Sequence, residues 1–537
     1  MTESNESGEV HLDEVLNKLG AFGRSQVLAL CMMALVYATN SMYNINYVFA
    51  VEDVGYRCKT PACDSNSTIT VPWIASTSND TYSIKQCTVA RYTDSATLNT
   101  TTVEDCTEWV YENPHTFVGE FDLACQEWKS TLVGTIHSVG NMFGLLIQGQ
   151  ISDRWGRKTA AVFAGTTGAV LGVCKSFSRN YWLYLSLEGL EAAIGDALSP
   201  MFMLSVELVE KKRTVFFQMI LLNCYTLGLI LMAFIAWMVP YWRYFLRVIY
   251  APTLLILTYS IFLDESIRWL YSKGRREEAE VIMLKVAKRN KVQIDKNLLS
   301  KVSYVEVTEK VDDKALLWKT FKSKIMMKRF LVCLVWWFTI TLINYGMMVS
   351  AVLIEGNKYI NFALLMTMDI PSNIFYWVAL SKYKRKVPLL VSFIVGGVFC
   401  ISNPFLPKGY AWLGIVLFMA FECLATFSYN IVYIYTSELF PTYTRNSMHA
   451  VCGAVGRLGS LLAPQTPLLM HYWTGLPSLI FGVTSLLSGL LTLLMPETAN
   501  TELPNTVEQA EKIGKKSKLE HNELLIKKLN NIREFFL

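Results

Sequence analysis

The chain holds 537 residues, 52% of them hydrophobic and 17% charged, with mean hydropathy +0.30 and formal net charge +5. A soluble domain carries about 25% charged residues, and the apolar residues here gather in runs long enough to cross a ~30 Å hydrocarbon core. A cytosolic enzyme, a disordered protein and a disulfide-dense secreted module are excluded, and the bases, set in blocks between apolar runs, mark membrane topology rather than a nucleic-acid footprint.

Residues 1–26 are polar and acidic at their start, with no basic region leading into a short apolar core, so no cleaved signal peptide is expected. Twelve apolar segments follow, at 27–49, 131–151, 160–177, 182–204, 215–237, 244–263, 330–354, 359–380, 387–401, 411–435, 448–470 and 476–495. Each is read as helix, because a spanning segment must satisfy its own backbone polar groups in lipid. The predicted fold class is therefore an all-α membrane protein of twelve helices.

Between the first two segments lies a long polar stretch, 52–130, with twelve acidic residues against five basic ones. It carries Cys58, Cys63, Cys87, Cys106 and Cys125, and sequons at Asn66, Asn79 and Asn99. Sequons beside clustered cysteines indicate an oxidising external face, with a connectivity that spacing does not give. The short loops after even-numbered segments are basic: Arg154, Arg157 and Lys158; Lys211, Lys212 and Arg213; and Lys382, Lys384, Arg385 and Lys386. By the positive-inside rule those loops and both termini are expected in the cytoplasm. Residues 264–329 form a basic connection in which ESIRWLYSKGRREEAEVIMLKVAKRN reads as amphipathic helix broken at Gly274. The tail, 497–537, is charged, and past Pro504 it is expected to be mobile apart from a short surface helix in KLEHNELLIKKLNNI.

The two halves, 27–263 and 330–496, repeat. SDRWGRK at 152–158 is echoed by SKYKRK at 381–386, SVELVEKKR at 205–213 by TSELFPTYTR at 436–445, and DES at 264–266 by PET at 496–498. Two six-helix repeats with a site between them are the plan of a transporter. Around the tight turn at Gly156, Asp153, Arg154, Arg157 and Lys158 are expected to pair with Glu207 and Arg213. The spacing recurs in Glu438 and Arg445. Such pairs, weak when exposed, suit a gate that toggles.

Ionisable residues at membrane depth mark function by default. Arg457 and Glu422 fall near the middle of segments eleven and ten, Glu188, Glu191 and Asp196 in segment four, and Asp369 in segment eight. Tyr225, Tyr345, Tyr376, Trp377, Tyr429 and Tyr433 supply rings that stack on a substrate or hold an ammonium. The sequence has no P-loop and no paired Cys/His spacing, so no ATP motor, cofactor or metal is expected.

Several motifs resemble those of the major facilitator superfamily, and within it the organic cation/anion/carnitine transporter family (solute carrier family 22). They are DEVLNKLGAFGRSQ before the first segment, the Cys-rich first loop, FDLAC at 121–125, SDRWGRK, DESIRWL and YTSELFPTYTRN. The resemblance implies transport of small organic ions by alternating access, and cavity roles for Tyr225, Tyr345, Tyr429 and Tyr433. At the segment-eleven position where cation carriers of that family place aspartate, this chain has Arg457. A second base of the anion carriers is replaced by Asn373, and a frequent lysine of segment ten by Glu422. One arginine with an added acid suits a zwitterion, carnitine-like or amino-acid-like. A plain anion stays open, a plain cation fits less well, and a transporter-like receptor without turnover is the alternative of another class.

Overall fold

The computed structural model describes most of residues 23–59, 100–293 and 321–513, with short pieces at 10–11, 15, 77–92 and 302–303. Its described residues are helical almost throughout. The first helix, α1 (Arg24–Ile45), leads into the polar stretch, where a hairpin pairs β1 (Tyr56–Cys58) antiparallel with a last strand, Trp109–Tyr111. Between them β2 (Thr77–Asn79), β3 (Tyr82–Ile84), β4 (Thr88–Tyr92) and β5 (Thr100–Asp105) form a sheet in sequence order, and the last strand becomes β6. Cys58 and Cys106 form a disulfide that closes this excursion, and Cys125 is also disulfide-bonded. Beside that bridge Lys59 donates to Glu108 at 2.8 Å and holds its carboxyl below the usual range. Cys63, Cys87, Asn66 and Asn99 lie outside the described residues, and of Asn79 only its place at the end of β2 is described.

The N-terminal half continues with α2 (Glu127–Trp155), α3 (Arg157–Lys175), α4 (Tyr181–Ile194), α5 (Leu198–Leu208), α6 (Lys211–Met238) and α7 (Trp242–Tyr250). Two short cytoplasm-expected helices, α8 (Ile267–Ser272) and α9 (Arg276–Asn290), come next. The second half is α10 (Lys324–Ala351), α11 (Lys358–Thr367), α12 (Asp369–Lys382), α13 (Lys386–Ser402), α14 (Ala411–Leu439), α15 (Thr442–Leu462) and α16 (Leu476–Thr492), with α17 (Val507–Lys512) in the tail.

Seven helices among the described residues are long and apolar enough, by themselves, to cross a membrane. The remaining predicted segments differ for local reasons. Segment four breaks between α4 and α5, where Asp196 Oδ1 accepts from Leu198 N at 2.9 Å and so begins a new helix. There the backbone of Gly195 passes against Gly168, so closely that a Cβ on Gly195 would meet the Gly168 Cα at 2.6 Å. Segment six is among the seven, although it passes through a 3₁₀ helix at Ala251–Thr258, led by a proline in its first turn. Segment eight divides into α11 and α12 just before Pro371. Segment eleven carries polar residues and Arg457 and ends in a 3₁₀ turn at Ala463–Gln465.

The basic connection behaves as its pattern predicts. Gly274 takes a positive φ of 72° between α8 and α9, and Val286 and Ala287 of α9 are buried. Asn290 at its end receives the Ser25 N–H at 2.9 Å and so seats α9 on the start of α1. The tail corrects the expectation of mobility: α17 docks with Val507 and Ala510 buried, because Arg329 donates to the Ala510 and Ile513 carbonyls at 2.6 and 3.0 Å. KLEHNELLIKKLNNI lies outside the described residues.

The halves meet along α6 against α11 and α12, and α2 against α15. At the end nearest the 52–130 stretch, Lys358 pairs with Glu52, and Gln465 bridges Thr131 (3.1 Å) and Thr135 (2.6 Å). Deeper, Ser138 donates to the Ser460 carbonyl at 3.0 Å. A cavity of about 470 Å³, lined from both halves by residues such as Glu52, Glu127, Lys358 and Pro467, opens at this end.

Candidate functional site

The charged turn motifs are built twice. At Gly156 (φ 101°) the chain reverses between α2 and α3, and a Cβ there would strike Glu265 Oε2 at 2.2 Å. That carboxylate accepts from the backbone N–H groups of Arg157 (2.9 Å) and Lys158 (3.0 Å), capping α3 where the helix dipole favours negative charge. In the second half Glu497 accepts from Arg385 N (2.9 Å) and Lys386 N (3.2 Å) at the start of α13. The match extends to the lysines: Lys158 Nζ donates to the Ser260 carbonyl, Lys386 Nζ to that of Leu493. Arg157 then holds Asp153 at 2.6 Å and Glu207 at 3.2 Å, and Arg385 holds Glu438 at 3.3 Å. Each of these pairs stays within its own half. Arg154 is exposed, and the side chains of Arg213 and Arg445 lie outside the described residues.

Deep in the second half, Arg457 of α15 donates from Nη1 to the Tyr345 hydroxyl of α10 at 2.9 Å. Tyr225 of α6, Tyr429 of α14 and Asp196 at the α4–α5 break stand within electrostatic reach of the guanidinium. Among the described residues no carboxylate lies within ion-pair distance of it. A part-buried arginine in that state keeps donor positions that neither a phenol nor a distant acid saturates. Tyr433, one turn from Tyr429, faces elsewhere on the same helix side: its ring lies 4.5 Å from that of His449, 5.7 Å from Trp337 and 6.2 Å from Phe202. Trp377 lies against Phe216 at 6.4 Å, and Tyr376 is buried with the α10 core.

The acidic pole is Glu422 with Asp369. Glu422 is 0% exposed, and neither of its carboxylate oxygens has a hydrogen-bond partner among the described residues. Asp369 at the start of α12 stands close enough for the two charges to oppose each other, and it accepts from Thr426 Oγ1 at 2.7 Å. No base pairs with either acid among the described residues. The poles share their supports. Asn344 reaches Thr426 at 3.4 Å on the acidic side while its neighbour Tyr345 holds Arg457; Thr226 faces Asp369 while its neighbour Tyr225 faces Arg457. Asn373 does not supply the missing second base. It joins the halves instead, donating to Asn223 of α6 at 3.0 Å and accepting from Asn430 of α14 at 3.0 Å.

Glu188 and Glu191 turn away from this region. Lys175, wholly buried, donates to Glu188 at 2.6 Å, Glu191 at 3.3 Å and the Tyr250 hydroxyl at 2.9 Å. His137 Nδ1 lies 2.8 Å from Glu188 Oε1. The helical spacing that puts both acids on one face is correct, but the face meets α2 and α3. The missing signal was the lysine closing segment three, the second half of a charge pair visible in the sequence. The donor atoms of His137, Glu188 and Glu191 lie within 4.8 Å of one another, as metal ligands would, yet the Lys175 ammonium already supplies the positive charge among them.

Comparison with known proteins accords with this architecture. The "Sugar (and other) transporter" family matches residues 73–509. Solute carrier family 22 member 3 of Mus musculus is 31% identical over 76% of this chain and 74% of its own length. Solute carrier family 22 member 1 of Bos taurus is 29% identical over 96% and 95%, and the organic cation/carnitine transporter 2 of Homo sapiens 26% identical over 93% of each. The fold is similar to that of the proton:xylose symporter XylE, a major facilitator superfamily protein (TM-score 0.59, 16% identity, 91% of this chain and 100% of that one). A protein with this helical plan, twofold turn motifs and family match has the major facilitator fold, and the chain belongs to the sugar (and other) transporter family as a multi-pass membrane transporter of the solute carrier family 22 type.

Proposed function

We propose that the protein carries a small zwitterionic or anionic organic solute across the plasma membrane by rocking its halves, 27–263 and 330–496, around Arg457. The carrying observation is the part-buried guanidinium of Arg457, whose hydrogen-bond partner among the described residues is the Tyr345 hydroxyl. A carboxylate of the solute takes its free donors in a charge-assisted, bidentate contact. Glu422 with Asp369 receives an ammonium, since an unpaired buried carboxylate is costly unless a cation meets it. Tyr225, Tyr345 and Tyr429 wall the space beside the guanidinium, and Asn373 keeps α6 against α12 and α14. The expected topology places both termini and the 264–329 connection in the cytoplasm, the 52–130 stretch and its glycosylation sites outside, and twelve spans between. The Arg157 and Arg385 clusters then act as cytoplasmic hinge anchors, each bracing its own half while the halves part.

A second reading, a plain organic cation, draws on Glu422 and Asp369 alone and on the relatives named as organic cation transporters. Uptake of radiolabelled carnitine, β-alanine, an aryl carboxylate and tetraethylammonium into cells expressing the full chain separates the readings. Zwitterion or anion uptake that falls at least ~10-fold in Arg457→Ala supports the first, since a lost buried charge-assisted contact is worth more than ~1.4 kcal/mol. Tetraethylammonium uptake that survives Arg457→Ala and fails in Glu422→Gln establishes the second.

A further inference from the structure

One buried cluster is used by none of the steps above. Lys175, Glu188, Glu191 and His137 come from α3, α4 and α2 and are each at most 2% exposed. Lys175 carries one positive charge against two carboxylates, so with a neutral imidazole the cluster holds one uncompensated negative charge in a low-dielectric interior. Leaving such a charge unpaired costs several kcal/mol. Among the described residues no second cation bonds to the cluster. Tyr43 of α1, Tyr47 just after it, Tyr184 of α4 and Tyr250 of α7 are phenols, neutral at physiological pH; Arg243 and Arg247 of α7 are engaged with Ser176, the residue after Lys175, and Asp196, on the other side, is an acid.

A proton on a carboxyl would remove that charge, and His137 offers a seat that removes it while both carboxylates stay ionised. Its Nδ1 engages Glu188, while its Nε2 is buried without a hydrogen-bond partner among the described residues. The residue also lines a cavity of about 10 Å³, roughly the room of one water, whose walls include Asn40, Asn44, Asn141, Glu191 and Asp196. Asn40 donates to Asp196 at 3.1 Å, and Asp196 stands within electrostatic reach of Arg457. Polar side chains of α1, α2 and the α4–α5 break thus stand on the side of the imidazole that faces Asp196.

We propose that His137, held between Glu188, Glu191 and Lys175, is an exchangeable proton site that the transporter loads and unloads during its cycle. The step is a proton transfer alone: hydronium gives its proton to the imidazole and leaves as water, and the excess carboxylate charge of Glu188 and Glu191 holds the imidazolium. Lys175 fills the place a metal ion would take, so the ligand is a proton. The coupling to uptake rests on the carrier reading, but the proton site itself is measurable without any solute.

The test uses the full chain purified in detergent micelles, with its thermal midpoint followed from about pH 6 to about pH 8.5, the range in which an imidazole exchanges its proton. The imidazolium neutralises the cluster, so the midpoint is expected to be highest at the acidic end and to fall as the proton leaves. Glu191→Gln removes the excess negative charge and His137→Gln removes the seat, and either variant is expected to lose that fall. Should neither variant fold, ¹⁵N-histidine NMR of the unmodified chain reads the same site as an imidazole signal that shifts across this range while remaining protected from solvent. A pH-independent midpoint in the unmodified chain, a slope retained in His137→Gln, which would place the proton on a carboxyl, or a midpoint restored at the alkaline end by sodium ions overturns the proposal. A failed solute screen leaves these measurements untouched.

Discussion

The two halves of this transporter are folded on one plan and charged on two. In the N-terminal half the membrane-depth charges are gathered and closed upon each other: Lys175 meets Glu188 and Glu191 within hydrogen-bond distance, and Tyr250 completes its donors. In the second half they stay apart, with Arg457 on a phenol and Glu422 on nothing. Yet the turns beneath both halves are copies down to the lysine carbonyl contacts. The lesson is that repeated structure is kept where a helix end must be capped and is abandoned among the charges at membrane depth, where the proposed site lies. A closed charge cluster stabilises; an open charge waits for a partner.

The largest expected effect lies on the closed side. Lys175→Met leaves two buried carboxylates facing each other and is expected to cost ~3–5 kcal/mol, read as loss of monodisperse protein in size-exclusion chromatography. If Lys175→Met purifies as well as the unmodified chain, the cluster is not the brace described here. Arg457→Ala should behave the opposite way, with uptake down at least ~10-fold and folding intact, because no carboxylate is left behind unpaired. Equal losses of yield in the two variants would erase the distinction between the halves.

Next comes the twofold turn. Gly156→Ala forces a Cβ into Glu265 at a positive φ and is expected to cost ~1–3 kcal/mol, seen as a lower thermal midpoint. Glu265→Gln and Glu497→Gln weaken the charge at equivalent helix starts and should each cost ~0.3–1 kcal/mol; clearly unequal shifts would show that the repeat is geometric but not energetic. The smallest effect is expected at Glu52 and Lys358, a partly exposed pair across the halves. Lys358→Ala removes at most ~1 kcal/mol, too little to unfold the protein. It does favour parting of the halves at that end, which faster labelling of a cysteine placed at Thr131 would register.

Much of the fold could be read along the chain. Apolar runs of about the length a bilayer demands, bases concentrated in alternate short loops, and the echo of DES in PET pointed to a twofold helical membrane protein, since a single apolar run satisfies its own backbone in lipid as a helix. The echo also pointed to the turn anchors, although Glu265 and Glu497 were visible only as repeated letters until their oxygens were found on helix N–H groups. Cysteines 58 and 106 were legible as members of a disulfide set, not as partners.

What the sequence determined by itself is therefore periodicity, polarity and repetition: where helices run, how they alternate, and that Arg457 and Glu422 sit deep. Tertiary structure alone decided which charges close on each other. Glu188, Glu191, Glu422 and Asp369 look alike in a linear pattern, because each is one acid in an apolar helix. Only the packing of α2 and α3 against α4 brings Lys175 and His137 to the first pair and leaves the second without a base. An ion pair is a distance of a few ångströms between helices, and no spacing along a single helix contains that distance.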